Sequence, residues 1–161
     1  MKTHRLIQSL TLIAMLAAFT SSSMANSGYG EKIKFFYDAF NKNDPALLDK
    51  ILAVDWESIS PSPGQAPGRE GFKPSVADSS KVFADLKISN DDIIEADNKV
   101  VVRSTVEGIN IGSFAGFPAK NRPIKIMAID IHEFNEDGMV IRTWHLEDWM
   151  AGLFQMGVFE K

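Results

Sequence analysis

The spacing of apolar positions changes once along this chain. In three stretches between residues 29 and 85 apolar side chains recur at helical spacing, and from residue 87 onward they alternate as strands do. Ile33, Phe36, Tyr37 and Phe40 fall at i, i+3, i+4 and i+7, which predicts a helix over residues 29–42 with Ser27 as its cap. Asp44-Pro45 suits an N-cap followed by a first helical residue, and Leu47, Leu48, Ile51 and Leu52 give a second helix its buried face. Residues 54–59 read as a short strand. Phe72, Val76, Val82 and Phe83 predict a third helix over residues 72–85, where Pro74 is tolerable only in the first turn. The Gly/Pro-rich segments 60–71 and 108–123 read as loops; Trp56 and Phe72 anchor the first on either side.

Strands are predicted at residues 87–96, 99–107 and 124–134, with a last β-rich run after Asp137-Gly138, a strong hairpin signal. The run 124–134 carries Ile124, Ile126, Ala128, Asp130, His132 and Phe134 on one face. Lys125, Met127, Ile129, Ile131 and Glu133 lie on the other. A middle that is apolar on both faces predicts a central strand covered on both sides. Residues 149–157 read as a terminal helix with Asp148 at its start. Helices first and strands after make an α+β pattern. The expected architecture is a cone: a bent antiparallel sheet with the N-terminal helices packed on its concave face. Its apolar interior would suit a small molecule.

The first residues stand apart. Lys2 and Arg5 precede a mostly apolar stretch, residues 6–19, too short for an ordinary bilayer span, and Ser23-Met24-Ala25 offers a small-residue cleavage site. This predicts a signal peptide over residues 1–25, one domain over residues 26–161, an exported protein, periplasmic or secreted, and no membrane attachment after cleavage. Loss of Lys2 and Arg5 takes the formal charge from −4 to −6, which argues against nucleic acid as a partner. The chain has no cysteine, so disulfides, thiolate metal sites and cysteine nucleophiles are excluded.

Chemistry-bearing residues gather at the last hairpin and its exit. Asp130 and His132 share a strand face about 7 Å apart along the chain; they either line the interior and hold a carbonyl or enolate, or form a buried hydrogen-bonded pair, or partner Arg103. Arg103 reads as an ion-pair partner before an anion clamp. By parity His145 faces away from Trp144 and Asp148 and ranks below His132. Trp56, Phe114, Trp144 and Trp149 are interior wall or plain core. His132 and His145 lack metal-ligand spacing, so no metal or other cofactor is expected.

Four segments together resemble a known family: P-G-R-E-G-F-K at residues 67–73, G-x-x-x-G-x-F-x-G-x-P at 108–118, I-D-I at 129–131, and D-G-x-V-I-x-x-W-x-x-x-D-x-x-x-x-x-x-Q-x-G at 137–157. In order and spacing they resemble the SnoaL-like polyketide cyclase (ester cyclase) family of the nuclear-transport-factor-2-like fold, across the whole predicted domain. The resemblance implies a cone holding an apolar or carbonyl-containing substrate, and cofactor-free ring closure by intramolecular aldol condensation. It implies an acid/base Asp after the last strand, at Asp148, which the residues alone also read as a helix N-cap. Asn110, Arg103 and the aromatic residues named above would contact substrate. The chain departs from the family's usual histidines at Ile59-Ser60-Pro61 and at Ile109-Asn110. The expected function is a small-ligand protein that carries out cofactor-free acid/base chemistry. The alternatives are a non-catalytic binding module on the same fold, and an interaction domain. Apolar positions on both faces of the long strand predict a homodimer through the outer face of the sheet.

Overall fold

The computed structural model describes residues 28–160; the predicted signal peptide and the Ser27 cap lie outside them. Among the described residues no helix is long and apolar enough to cross a membrane. Two short helices, α1 (Tyr29–Lys32) and α2 (Lys34–Asn41), take the place of the single helix expected there. Ile33 keeps helical dihedrals between them, so the apolar stripe stays on one face. Asp44 caps the next element as expected, accepting from Ala46 N at 3.0 Å. That element is a 3₁₀ helix, Pro45–Lys50, because the strand that begins at Leu52 leaves room for one short piece.

The strand β1 (Leu52–Ile59) is followed by α3 (Gly68–Val82). α3 starts four residues earlier than the apolar spacing suggested, so Pro74 sits inside it rather than in its first turn. The segment 67–73 explains the early start. Arg69 donates to Leu52 O at 3.0 Å and pairs with Asp49 at 2.9 Å, and Lys73 pairs with the same Asp49 at 2.8 Å. These contacts pin α3 to the 3₁₀ helix and β1. Gly71 lies so close to the chain before it that a Cβ there would stand 2.0 Å from Ala66 O.

Four long strands follow: β2 (Phe83–Ala96), β3 (Lys99–Asn110), β4 (Pro123–Phe134) and β5 (Val140–Glu147). The sheet order is β1-β5-β4-β3-β2. Its four long strands are antiparallel as expected, whereas β1 joins β5 in parallel. Bulges in β2, and one at Glu133/Phe134 where β4 meets β5, help to curl the sheet. The curled, five-stranded α+β fold matches the architecture read from the sequence. Past Ala128↔Glu147, β4 has lost β5 as a neighbour. There the side-chain amide of Gln155, in α4 (Trp149–Gln155), stands in for a strand: Lys125 N donates to Oε1 at 2.6 Å and Nε2 donates to Lys125 O at 2.9 Å.

The concave face is where the core lies. Val100, Val102, Ile124, Ile126, Ala128 and Phe134 point into it and are buried. The narrow end of the cone is filled by rings: Tyr29 on Phe134, Phe36 on Phe72, and Trp56 against Phe72 at 4.8 Å. The outer face has no such cover, contrary to the expected two-sided burial of β4. Met127, Ile129 and Leu146 are exposed on it.

Candidate active site

The alternation of β4 carries Asp130 and His132 into the core, where they are 1% and 0% exposed. A buried carboxylate and a buried imidazole both need partners. Tyr37 of α2 places its hydroxyl 2.9 Å from Asp130 Oδ2 and 3.0 Å from His132 Nε2. Thr143, the cross-strand neighbour of His132 on β5, sets Oγ1 3.0 Å from His132 Nδ1. Trp56 of β1 donates its indole N–H to that Oγ1 at 3.0 Å.

Donor and acceptor capacity gives this chain a direction. An indole nitrogen only donates and an ionised carboxylate only accepts. Thr143 therefore accepts from Trp56 and gives its own hydrogen to His132 Nδ1. His132 is then the tautomer with hydrogen on Nε2, which donates to the Tyr37 oxygen, and Tyr37 donates to Asp130. Every bond points toward the Asp130 carboxylate.

The second Asp130 oxygen accepts from Nδ1 of His145. On the far side of that ring, Nε2 lies 3.2 Å from Glu147 Oε2, which also accepts the indole N–H of Trp149. With a carboxylate at each ring nitrogen, both nitrogens carry hydrogen and His145 is an imidazolium.

The two histidines are tuned in opposite directions. Burial pushes His132 down to about 4, against the opposing pull of the Asp130 charge. For His145 burial also acts downward, but the hydrogen bonds and charges of Asp130 and Glu147 together outweigh it and raise it to about 10. Tyr37 is held well above the ordinary phenol range by burial and by the charge of Asp130. Opposed shifts of this kind separate a neutral, positioning imidazole from a charged one.

One end of the network is open. β1 stops at Ile59, paired with Trp144, and β5 runs on beyond it. His145 follows at once and its side chain is 41% exposed, whereas that of Asp130 is 2% exposed. An imidazolium anchored from behind by a buried carboxylate, with its edge at an opening, can hold negative charge as it develops on a substrate oxygen.

Of the residues singled out from sequence, the fold gathers Asp130, His132 and Trp56 directly, and Trp149 through Glu147. Phe114 touches the network only through Trp149, at 4.3 Å. Asn110 is buried and staples the following loop, donating to Gly112 O at 2.8 Å. Three residues are placed elsewhere. Arg103 lies on the outer face, paired with Asp91 at 3.0 Å and Asp92 at 2.6 Å rather than with Asp130. Trp144 is on that outer face too, with Lys99 and Arg142 each 5.6 Å from its ring. Asp148 is exposed and turned to its own helix, where Oδ1 accepts from Ala151 N at 3.0 Å. Of the two readings of Asp148, acid/base group and helix cap, this geometry is that of the cap: the first turn of α4 offers unpaired N–H groups, and the carboxylate takes one. His145, expected to face away, points inward. Tyr37, Thr143 and Glu147 complete the set, and none was singled out as a site residue in the sequence. An open groove of about 610 Å³, lined by Asp85, Glu107, Ile109, Lys125 and Gln155 among others, lies apart from this network.

A protein-family model described as SnoaL-like polyketide cyclase matches residues 31–156. Among solved structures, the chain is similar to TsrD from Streptomyces laurentii, at 28% identity over 83% of this chain and 98% of that one, with a TM-score of 0.76. It is also similar to IdmH from Streptomyces antibioticus, at 26% identity over 80% of this chain and 98% of that one, with a TM-score of 0.69. A SnoaL-like polyketide cyclase from Agrobacterium tumefaciens shares the fold at 17% identity, over 80% of this chain and 98% of that one, with a TM-score of 0.65. No curated protein matches the sequence.

Proposed function

The chain belongs to the SnoaL-like polyketide cyclase family, and we propose that it performs cofactor-free acid/base chemistry on a small apolar carbonyl compound at the open end of its cone. The reaction class is removal of a proton next to a carbonyl, the step that begins an intramolecular aldol ring closure or an isomerisation. The observation that carries this reading is the His145 imidazolium, held at Nδ1 by buried Asp130 and at Nε2 by Glu147, with 41% of its side chain exposed. Its role is to hold the carbonyl oxygen as that oxygen gains charge. Asp130 orients the ring and keeps it charged, and the chain through Tyr37, His132, Thr143 and Trp56 orients Asp130.

The test uses 2-tetralone, an apolar ketone with acidic protons beside its carbonyl. Exchange of those protons in D₂O, followed by NMR, should run faster with the protein than in buffer alone. His145→Gln should lower the protein-dependent rate by about 10²–10³, the usual worth of one donor at a developing oxyanion. Binding without any exchange would favour the binding module.

We also propose that the outer face of the sheet seats a second copy. Met127, Ile129 and Leu146 are exposed there, while the bordering charges Arg103, Lys125 and Arg142 are already paired within the chain. Such a face suits a self-complementary apolar contact rather than a charged partner. Light scattering should report a dimer at micromolar concentration, and Leu146→Lys should give a monomer. A wild-type monomer across that range would refute this.

A further inference from the structure

The proposed reaction needs a proton acceptor, and Asp130 cannot be it. Its side chain is 2% exposed, and its two oxygens accept from Tyr37 and His145. We propose that Glu147 is the base, released by the substrate itself. This inference rests on the reading of His145 given above.

Three observations carry it. Glu147 stands opposite Ala128 on β4, on the concave face, one inward position beyond His145. Trp149 packs against the buried cluster that holds Ala128, so the ring that donates to Glu147 also lies on this face. Second, a single oxygen of Glu147, Oε2, takes both donors, His145 Nε2 at 3.2 Å and the Trp149 indole. Third, its side chain is 18% exposed, so of the two carboxylates on His145 it is the one a ligand can reach.

The chemistry then follows. A ketone oxygen entering at the opening accepts the Nε2 hydrogen of His145 in place of Glu147. That exchange frees Glu147 of one of its two donors, so an oxygen lone pair is available to take a proton. The C–H bond beside the carbonyl breaks and its proton goes to a Glu147 oxygen. The electron pair forms the enolate C=C, and the negative charge moves to the oxygen held by His145. In ring closure the enolate carbon then bonds to a second carbonyl carbon, whose oxygen takes the proton back from Glu147. In plain exchange the proton or a deuteron returns to carbon. Trp149 is the positioning residue: its indole holds Glu147, and its ring is fixed against Phe114 at 4.3 Å and Phe83 at 5.7 Å.

The experiment is exchange of 2-tetralone protons in D₂O with wild type, Glu147→Gln, Glu147→Asp, His145→Gln and Asp148→Asn, each checked for an unchanged far-ultraviolet circular dichroism spectrum. Glu147→Gln should lower the protein-dependent rate by about 10²–10⁴, Glu147→Asp should retain a measurable part of it, and Asp148→Asn should leave it unchanged, because Asn caps a helix as well as Asp does. A rate in Glu147→Gln within threefold of wild type, alongside a collapse in His145→Gln, would overturn the role of Glu147 and leave that of His145 standing. A collapse in Asp148→Asn with Glu147→Gln active would transfer the base to Asp148. No exchange by wild type would overturn both readings together.

Discussion

Asp130→Ala should lower the stability of the protein by about 3 kcal/mol, the lower end of what breaking a buried charged pair costs. The substitution removes the acceptor on which two chains of donors converge. Tyr37 loses the acceptor of its hydroxyl at a site that is 3% exposed, and an unsatisfied buried donor costs about 1–3 kcal/mol. His145 loses the counter-ion behind it but keeps Glu147 and water, since its side chain is 41% exposed; that keeps the figure at the low end. For a domain of this size the change corresponds to a fall in Tm of about 6–12 °C. Tyr37→Phe should cost less, because it removes one hydroxyl and leaves the Asp130–His145 pair. The double variant should cost clearly less than the two single losses together, because both act on one hydrogen bond. Thermal or urea unfolding of the four proteins measures this. Strict additivity, or a fall in Tm below 2 °C for Asp130→Ala, would show that the network is not held together at Asp130.

The sequence and the fold agree most closely where local period decides. Strict alternation in residues 124–134 placed Asp130 and His132 on the buried face, and the helical stripe of Ile33, Phe36, Tyr37 and Phe40 placed α1 and α2 against it. His145 was misplaced for one physical reason. The turn starts β4 and β5 in the register Phe134↔Val140, which if continued would set Trp144 opposite Asp130. The bulge at Glu133/Phe134 shifts the ladder by one residue, so that Asp130 faces His145 and Trp144 goes to the outside. A one-residue slip exchanges the two faces of a strand, and nothing in the local pattern announces a bulge there. Tyr37 was legible as core but not as a site residue, because its partners lie 93 and 95 residues away in sequence. The opening at His145 depends on where β1 stops relative to β5, a tertiary fact with no signature in either strand. Asp148 shows the opposite case: the local preference of Asp for a helix start is what the fold displays.

Stability should peak near pH 6.5 and fall on both sides, each limb belonging to one histidine. His132 titrates at about 4 in the folded protein and near 6.5 when unfolded. Between those values the unfolded chain binds a proton that the folded chain does not, so stability falls as pH falls from 6.5 toward 4. The full loss is about 3 kcal/mol. Below about 4.5 the paired carboxylates Asp49, Glu70, Glu107 and Glu160, all held below their ordinary values by Lys or Arg partners, add their own loss. The His132 limb is therefore read between pH 4.5 and 6.5. His145 has the reverse sign. It titrates at about 10 when folded, so above 6.5 the folded chain keeps a proton that the unfolded chain has lost, and stability falls as pH rises toward 10. The groups that face these rings are Tyr37, Asp130, Thr143 and Glu147, and Tyr37 stays protonated throughout this range. Salt separates the limbs. The alkaline limb depends on a partly exposed ion pair and should become shallower in 1 M NaCl, whereas the acid limb depends on burial of a neutral ring and should not. His145→Gln should flatten the alkaline limb alone. Urea unfolding from pH 4.5 to 9.5 at low and high salt is the measurement. A profile flat from 4.5 to 6.5 would mean that His132 is not a buried neutral imidazole, and an alkaline limb unmoved by His145→Gln would mean that His145 does not carry the charge assigned to it.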